Sequence, residues 1–159
     1  MDSLKGDIES FLERIPGDAL SAREERRLHV FRHATGDVER VGDQAVNIAE
    51  RGLHVLCRGH VFSSAAAGDL TTLFDKTMFL YELALEALRE EDKDRAQEAL
   101  HREAEVDHLE RLFRDRHLQR LDEGVCDAAA GVLFVEILHN LERIGDHAVN
   151  IAGDVLYAL

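Results

Sequence analysis

Asn140-Leu141-Glu142-Arg143-Ile144-Gly145-Asp146-His147-Ala148-Val149-Asn150-Ile151-Ala152 repeats a segment that lies 103 positions upstream, Asp37-Val38-Glu39-Arg40-Val41-Gly42-Asp43-Gln44-Ala45-Val46-Asn47-Ile48-Ala49. Arg40, Gly42, Asp43 and the run from Ala45 to Ala49 recur unchanged, and most other differences are like for like. Amphipathic helices resemble one another in hydrophobic pattern, but here the polar residues match too. The spacing is too long for a short-period solenoid and reads as a two-fold duplication of one helical unit.

On a helical wheel at about 100° per residue, Leu133, Ile137, Leu141, Ile144, Ala148 and Ile151 share one broad arc, the expected core face. Gly145 falls inside that arc, where the missing side chain lets another helix approach, at a cost of roughly 1 kcal/mol in helix propensity. Gly42 holds the same place in the first copy. Glu142 and Asp146 stack four residues apart at the edge of the arc, as do Glu39 and Asp43. Carboxylates at i and i+4 repel each other, and a shared cation would remove the repulsion, with oxygen ligands suited to hard ions. Glu103 and Asp107 form a third such pair. If its helix runs antiparallel to the last one, Glu103 and Asp107 face Glu142 and Asp146 in a four-carboxylate site. The plain alternative is that Arg40 and Arg143 neutralise these carboxylates in surface ion pairs, which are worth little.

Working outward from the repeat, the punctuation marks four long helices. Ser21 and Glu24 make a capping box, opening a helix from about Ala22 to the Leu56–Arg58 region that ends near Gly59. Ser63 or Ser64 starts a second, carrying Leu70, Leu73, Phe74, Met78, Tyr81 and Leu85 at helical spacing. Asp92 or a neighbour opens a third through Leu121, stopped by Gly124, and Asp127 caps a fourth from Ala128 to about Leu156. Before these, Ile8, Phe11, Leu12 and Ile15 mark the end of a fifth helix halted by Pro16-Gly17. Sustained strand-like alternation is absent from the sequence, and the connections are short, which predicts an antiparallel bundle.

The 159 residues are enough for one domain with a real core. Hydrophobic residues make up 45% and charged residues 32%, a globular balance. A net charge of -13 opposes nucleic-acid binding, which rests on Lys and Arg neutralising phosphates, and it opposes docking on anionic lipid. Cys57 and Cys126 lack disulfide-framework or CxxC spacing and read as free thiols of a cytoplasmic protein. The start is too polar for a signal peptide. A nucleophile beside a base, a Gly-rich phosphate loop and HExxH are all missing from the sequence, so the expectation is a chain without enzymatic activity.

The segments DVERVGDQAVNIAE and NLERIGDHAVNIA resemble the signature of the PhoU family, which has two three-helix bundles, each carrying this element on its last helix. The resemblance implies an all-α, PhoU-like antiparallel bundle of about four long helices from a duplicated three-helix unit. Residues 1–59 would be the remainder of the first repeat and residues 60–159 the second. It also implies a non-enzymatic regulatory role in phosphate uptake or phosphate signalling. Metal ions, multinuclear iron or zinc with magnesium as a further candidate, would be held on Glu39, Asp43, Glu103, Asp107, Glu142 and Asp146. The implied partner is a phosphate transporter, either a sodium–phosphate symporter or an ABC-type system, or its sensor kinase, with a homodimer among the assemblies allowed.

Relative to the family's six helices, the chain departs by lacking the first and much of the second. Met1-Asp2-Ser3-Leu4 lines up with Val106-Asp107-His108-Leu109, so Asp2 would match Asp107 while the counterpart of Glu103 is missing. This puts the first metal site in doubt and points to a fragment. The stretch RDRHLQRLDEGVCDAAAGVLFVEILHNLERIGDHA looks more like the cytoplasmic PhoU-like tails of symporters than like the free-standing regulators.

Two other classes compete. A ferritin-like di-iron oxidase would use E-x-x-H motifs, for which Glu105–His108 and Glu136–His139 are candidates, but Glu136 lies roughly 120° round the wheel from Glu142. The other is a metal-free structural bundle. Of the nine histidines, His147, beside Asp146, is the one to consider as an auxiliary ligand.

Overall fold

The computed structural model of the chain describes residues 2–16 and 20–159, without the side chain of Asp2. It contains five helices: α1 (Asp2–Glu13), α2 (Ala22–Arg58), α3 (Ser64–Glu90), α4 (Lys93–Asp122) and α5 (Ala128–Ala158). Among the described residues there is no strand, so the all-helical expectation holds. None of the helices is long and apolar enough to cross a membrane.

The ends of the helices follow local chemistry. Ser21 and Glu24 form the reciprocal capping box expected of them, and Gly59 closes α2 in the left-handed conformation. The Ser63, Asp92 and Asp127 side chains accept hydrogen bonds from the first backbone N–H groups of α3, α4 and α5, groups that have no partner within their own helix. Gly124 takes a positive φ just past α4. Glu91 does the same at the end of α3 without being glycine, and its carboxylate meets Arg23 and Arg27 of α2, each at 2.7 Å. α1 ends at Glu13, two residues before Ile15; Gly17, expected to help stop it, lies outside the described residues.

α5 is the central helix. It packs against α2, α3 and α4, while α3 and α4 also pack on each other. The short connections make successive helices antiparallel. Asp69 near the start of α3 meets Arg116 and Arg120 near the end of α4, and His117 of α4 lies against Gly131 at the start of α5. Leu133, Ile137, Leu141, Ile144, Ala148 and Ile151 are all buried, as the wheel required. Gly145 is buried among them: a Cβ there would stand 3.3 Å from Val106 Cγ1 and 3.5 Å from Leu80 Cδ2, so the glycine is where α3 and α4 close on α5. α1 packs on α2, which lies along the remaining side of α5.

Candidate metal centre

The antiparallel pairing of α4 and α5 brings the two expected carboxylate pairs to the same level. Oxygen atoms of Glu103, Asp107 and Asp146 lie within 4.8 Å of one another. Glu142 stands one turn before Asp146, half-buried. Its Oε2 is buried without a hydrogen-bond partner; His139 Nδ1 is 3.4 Å away but lacks hydrogen-bonding geometry. An orphaned carboxylate oxygen beside three converging carboxylates fits a cation better than it fits any protein group present.

The electrostatics agree. Burial, followed by the charges of Asp107 and Asp146, holds the Glu103 carboxyl above its ordinary range. Glu142 is raised by burial and then by Asp146, with smaller contributions from Asp107 and Glu110 and with His139 pulling the other way. Asp146 is raised by burial and then by Asp107, against the lowering charges of His147, Arg143 and His139. Each group is pushed toward its protonated form because it is partly removed from water among like charges. The donors are all oxygen, a set suited to hard cations such as magnesium, calcium or manganese rather than to thiolate-seeking ions.

Two neighbours of this site escaped the sequence reading. Glu110, one turn along α4 from Asp107, is buried and accepts a hydrogen bond from Arg114 at 3.0 Å. The i, i+4 and i+7 spacing from Glu103 was there to be read, but a glutamate followed four residues later by arginine looks like a surface pair. His139 flanks Glu142, whereas His147, considered as an auxiliary ligand, turns the other way. It is buried, and its Nδ1 sits 2.8 Å from Asp37 Oδ1 on α2, so that expectation is corrected.

The first copy of the motif makes no such cluster among the described residues. Glu39 is paired with Lys5 of α1 at 3.2 Å, and Asp43 is exposed. Any contribution from Asp2 lies outside the described residues. In the alignment of α1 with α4, Lys5 falls where the second copy has Glu110. A lysine has taken the position of a carboxylate, and an ion pair stands where the second copy has converging carboxylates. The arginine alternative fails at the second copy: Arg143 acts on Asp146 only as one of several nearby charges, and among the described residues it forms no ion pair with Glu142 or Asp146. Glu136 is tied to Arg51 of α2, away from the carboxylates, so the di-iron oxidase arrangement is not supported.

The duplicated segments meet each other about a local two-fold axis. Asn47 Nδ2 donates to Asn140 Oδ1 at 3.3 Å, and Asn150 Nδ2 donates to Asp37 Oδ1 at 3.2 Å. These bonds join equivalent positions with the roles of the two copies exchanged. Arg51 with Glu136 and His33 with Asp154, the latter at 3.6 Å, form a second exchanged pair with the signs of charge reversed. The repeated asparagines therefore hold α2 antiparallel to α5 and belong to this interface rather than to the carboxylate cluster.

The model of the PhoU domain matches residues 70–155, which spans all of α4 and most of α3 and α5. The phosphate-specific transport system accessory protein PhoU homolog 1 of Thermotoga maritima is 32% identical over 123 residues, 77% of this chain and 52% of that protein. The PhoU homolog of Xylella fastidiosa strain 9a5c is 28% identical over 160 residues, 100% of this chain and 66% of that protein. The chain thus spans between about half and two thirds of the length of these relatives. The crystal structure of PhoU from Pseudomonas aeruginosa superposes with a TM-score of 0.91 at 24% identity, covering 99% of this chain and 75% of that one, a likeness of fold. With the family model covering more than half of its length, this chain belongs to the PhoU domain family.

Proposed function

We propose that the chain is a non-enzymatic regulatory domain of phosphate uptake or phosphate signalling, and that a divalent or trivalent metal ion bridges α4 and α5 through Glu103, Asp107, Glu142 and Asp146. The observation that carries the metal reading is the convergence of three carboxylates within 4.8 Å beside the orphaned Oε2 of Glu142. Family membership supports the phosphate reading, since the relatives are described as accessory proteins of phosphate-specific transport systems. The partner in this reading is a phosphate transporter, of the symporter or ABC type, or its sensor kinase, met in the cytoplasm.

A cation neutralises the repulsion that, after burial, holds Glu103, Glu142 and Asp146 above their ordinary range, so binding stiffens the α4–α5 pair. Glu39 and Asp43 contribute little, because Lys5 already neutralises Glu39. The test is metal content after purification, with binding isotherms for magnesium, manganese, iron(II) and zinc, on the wild type, Asp146→Asn and Asp43→Asn. Asp146→Asn is expected to lose the metal and Asp43→Asn to keep it. Equal loss in both would end the paired-helix argument. No change in either would leave a regulatory bundle that works without metal.

A further inference from the structure

The two ends of the α2–α5 seam are related by the duplication but differ in chemistry. At one end Arg51 of α2 meets Glu136 of α5 in a plain ion pair, and Val132 lies one turn before Glu136. By the 103-residue shift of the repeat, Glu136 corresponds to His33, Val132 to His29 and Arg51 to Asp154. Two permanent charges are thus exchanged for two imidazoles and a carboxylate. Such positions stay open even in a complete three-helix bundle: with α3 in place beside α4 and α5, Val132 is still 60% exposed and the Glu136 side chain 43%.

His29 and His33 stand four residues apart on α2, so their side chains share one stripe, the spacing by which the H-E-x-x-H helix holds zinc. Their rings are in contact, with centroids 4.2 Å apart and planes tilted by 51°. Across the seam, Asp154 Oδ2 lies 3.6 Å from His33 Nδ1. That is too long for a hydrogen bond. It is close to the roughly 3.4 Å that separates two ligand atoms on a tetrahedral zinc ion with bonds of about 2.0–2.1 Å. Among the described residues Asp154 meets no lysine or arginine, and its side chain is 23% exposed. Burial holds its carboxyl above the ordinary range, with His33 and His29 lowering it and Asp37 raising it. The carboxylate cluster of α4 and α5 is the group whose three donors already converge; here the closing step is a rotation of the exposed His29 ring.

We propose that His29, His33 and Asp154 form a second metal site, which takes zinc or a similar imidazole-seeking divalent ion across the α2–α5 seam. Two ring nitrogens and one carboxylate suit zinc, nickel or copper(II), a different class of ion from that favoured by the all-oxygen cluster, and water completes the coordination. Asp37, one turn on from His33, is held in the seam itself, its Oδ1 engaged by His147 and Asn150. α2 carries one copy of the repeat and α5 the other, so an ion here clamps the two copies together. The proposal does not rest on the carboxylate reading, because this site shares no ligand with Glu103, Asp107, Glu142 and Asp146.

Zinc isotherms by equilibrium dialysis in excess magnesium test it, run on Asp146→Asn so that the carboxylate cluster is disabled. The expected result is one zinc ion per chain. Adding His33→Gln or Asp154→Asn is expected to raise its dissociation constant at least about tenfold. Adding His101→Gln, which removes an exposed imidazole on α4, is expected to change nothing. His33 is 54% exposed, so its substitution leaves the fold intact, which circular dichroism checks. A second measurement follows the imidazole proton resonances: those of His29 and His33 are expected to shift on adding zinc, and that of His101 to stay. Absence of zinc binding at high micromolar concentration overturns the proposal. So does binding indifferent to His33→Gln, binding weakened equally by His101→Gln, or zinc that leaves the His29 and His33 resonances unmoved.

Discussion

Individual residues set opposite expectations at positions that look alike in sequence. Gly131 and Gly153 both lie in α5. A Cβ on Gly131 would meet His117 Nε2 at 2.6 Å, and His117 is buried, so its ring cannot swing aside. Gly131→Ala should therefore lower stability by about 1–3 kcal/mol, the usual cost of overpacking. A Cβ on Gly153 meets nothing within 4 Å, so Gly153→Ala should raise stability by about 0.5–1 kcal/mol through helix propensity and a less flexible unfolded chain. Urea unfolding of the two variants at equal slope checks both signs. The glycine in the core arc was legible in the sequence as Gly145. The strict requirement at Gly131 was not, because the obstructing imidazole comes from another helix and its arrival is a matter of register.

His117 also gives a direction in pH. Its ring nitrogens are buried without hydrogen-bond partners, and burial, then Arg120, holds its pKa below the ordinary histidine value, against a smaller pull from Asp69. The unfolded chain therefore takes up the proton first. The stability of the neutral ring is fully present above about pH 6.5 and falls as pH drops below it toward the lower folded value. The carboxyls of Glu103, Glu142 and Asp146 shift upward and act in the reverse sense: without metal they favour the folded state on acidification, and their penalty is present at neutral pH. His117→Phe should flatten the loss of stability below about pH 6.5. Thermal melts of wild type and variant, both freed of metal by chelator, measure the difference.

At the level of helices, the starts of α2 to α5 and the stops of α2 and α4 were readable almost to the residue, since each is marked by a capping side chain or a glycine within three positions of it. The exception is the end of α3, where Glu91 adopts a positive φ without being glycine while its carboxylate meets Arg23 and Arg27 of α2, contacts that no local signal announces. The pairing of α2 with α5 was equally hidden. Matching asparagines in the repeat were visible, but their use as mutual partners depends on the two copies lying antiparallel. At its centre Asp37 serves both His147 and Asn150, so Asp37→Ala strands two donors, one of them buried. The expected loss is about 2 kcal/mol, the penalty for unpartnered buried polar groups. Arg51→Ala, which breaks a half-exposed pair with Glu136, should cost less than about 1 kcal/mol. Chemical denaturation of both, with an Asp37–His147 double-mutant cycle, separates the buried contact from the surface one.

For the molecule as a whole, the same motif in two copies yields one carboxylate cluster, and the reason lies outside the motif. A helical motif places its own two carboxylates; whether they become a site depends on the facing helix, which is α4 with Glu103 and Asp107 in one case and α1 with Lys5 in the other. This asymmetry predicts how stability responds to metal. An ion that binds only the folded state stabilises it by about 2.7 kcal/mol at a hundred times its dissociation constant, and here that gain must appear in the α4–α5 pair. Hydrogen exchange should therefore show added metal slowing amides of α4 and α5 near Asp107 and Asp146, while those of α1 stay fast. α1 has twelve residues and packs on α2 alone among the principal helix contacts, a length at which a helix is marginal without tertiary support. In Asp146→Asn two changes are expected together: the metal-free protein becomes more stable at neutral pH, because one of the repelling charges is gone, and the response to metal disappears. A variant that lost the metal response while becoming less stable without metal would mean that the Asp146 carboxylate serves the fold, and the reading of this cluster as a cation site would fail.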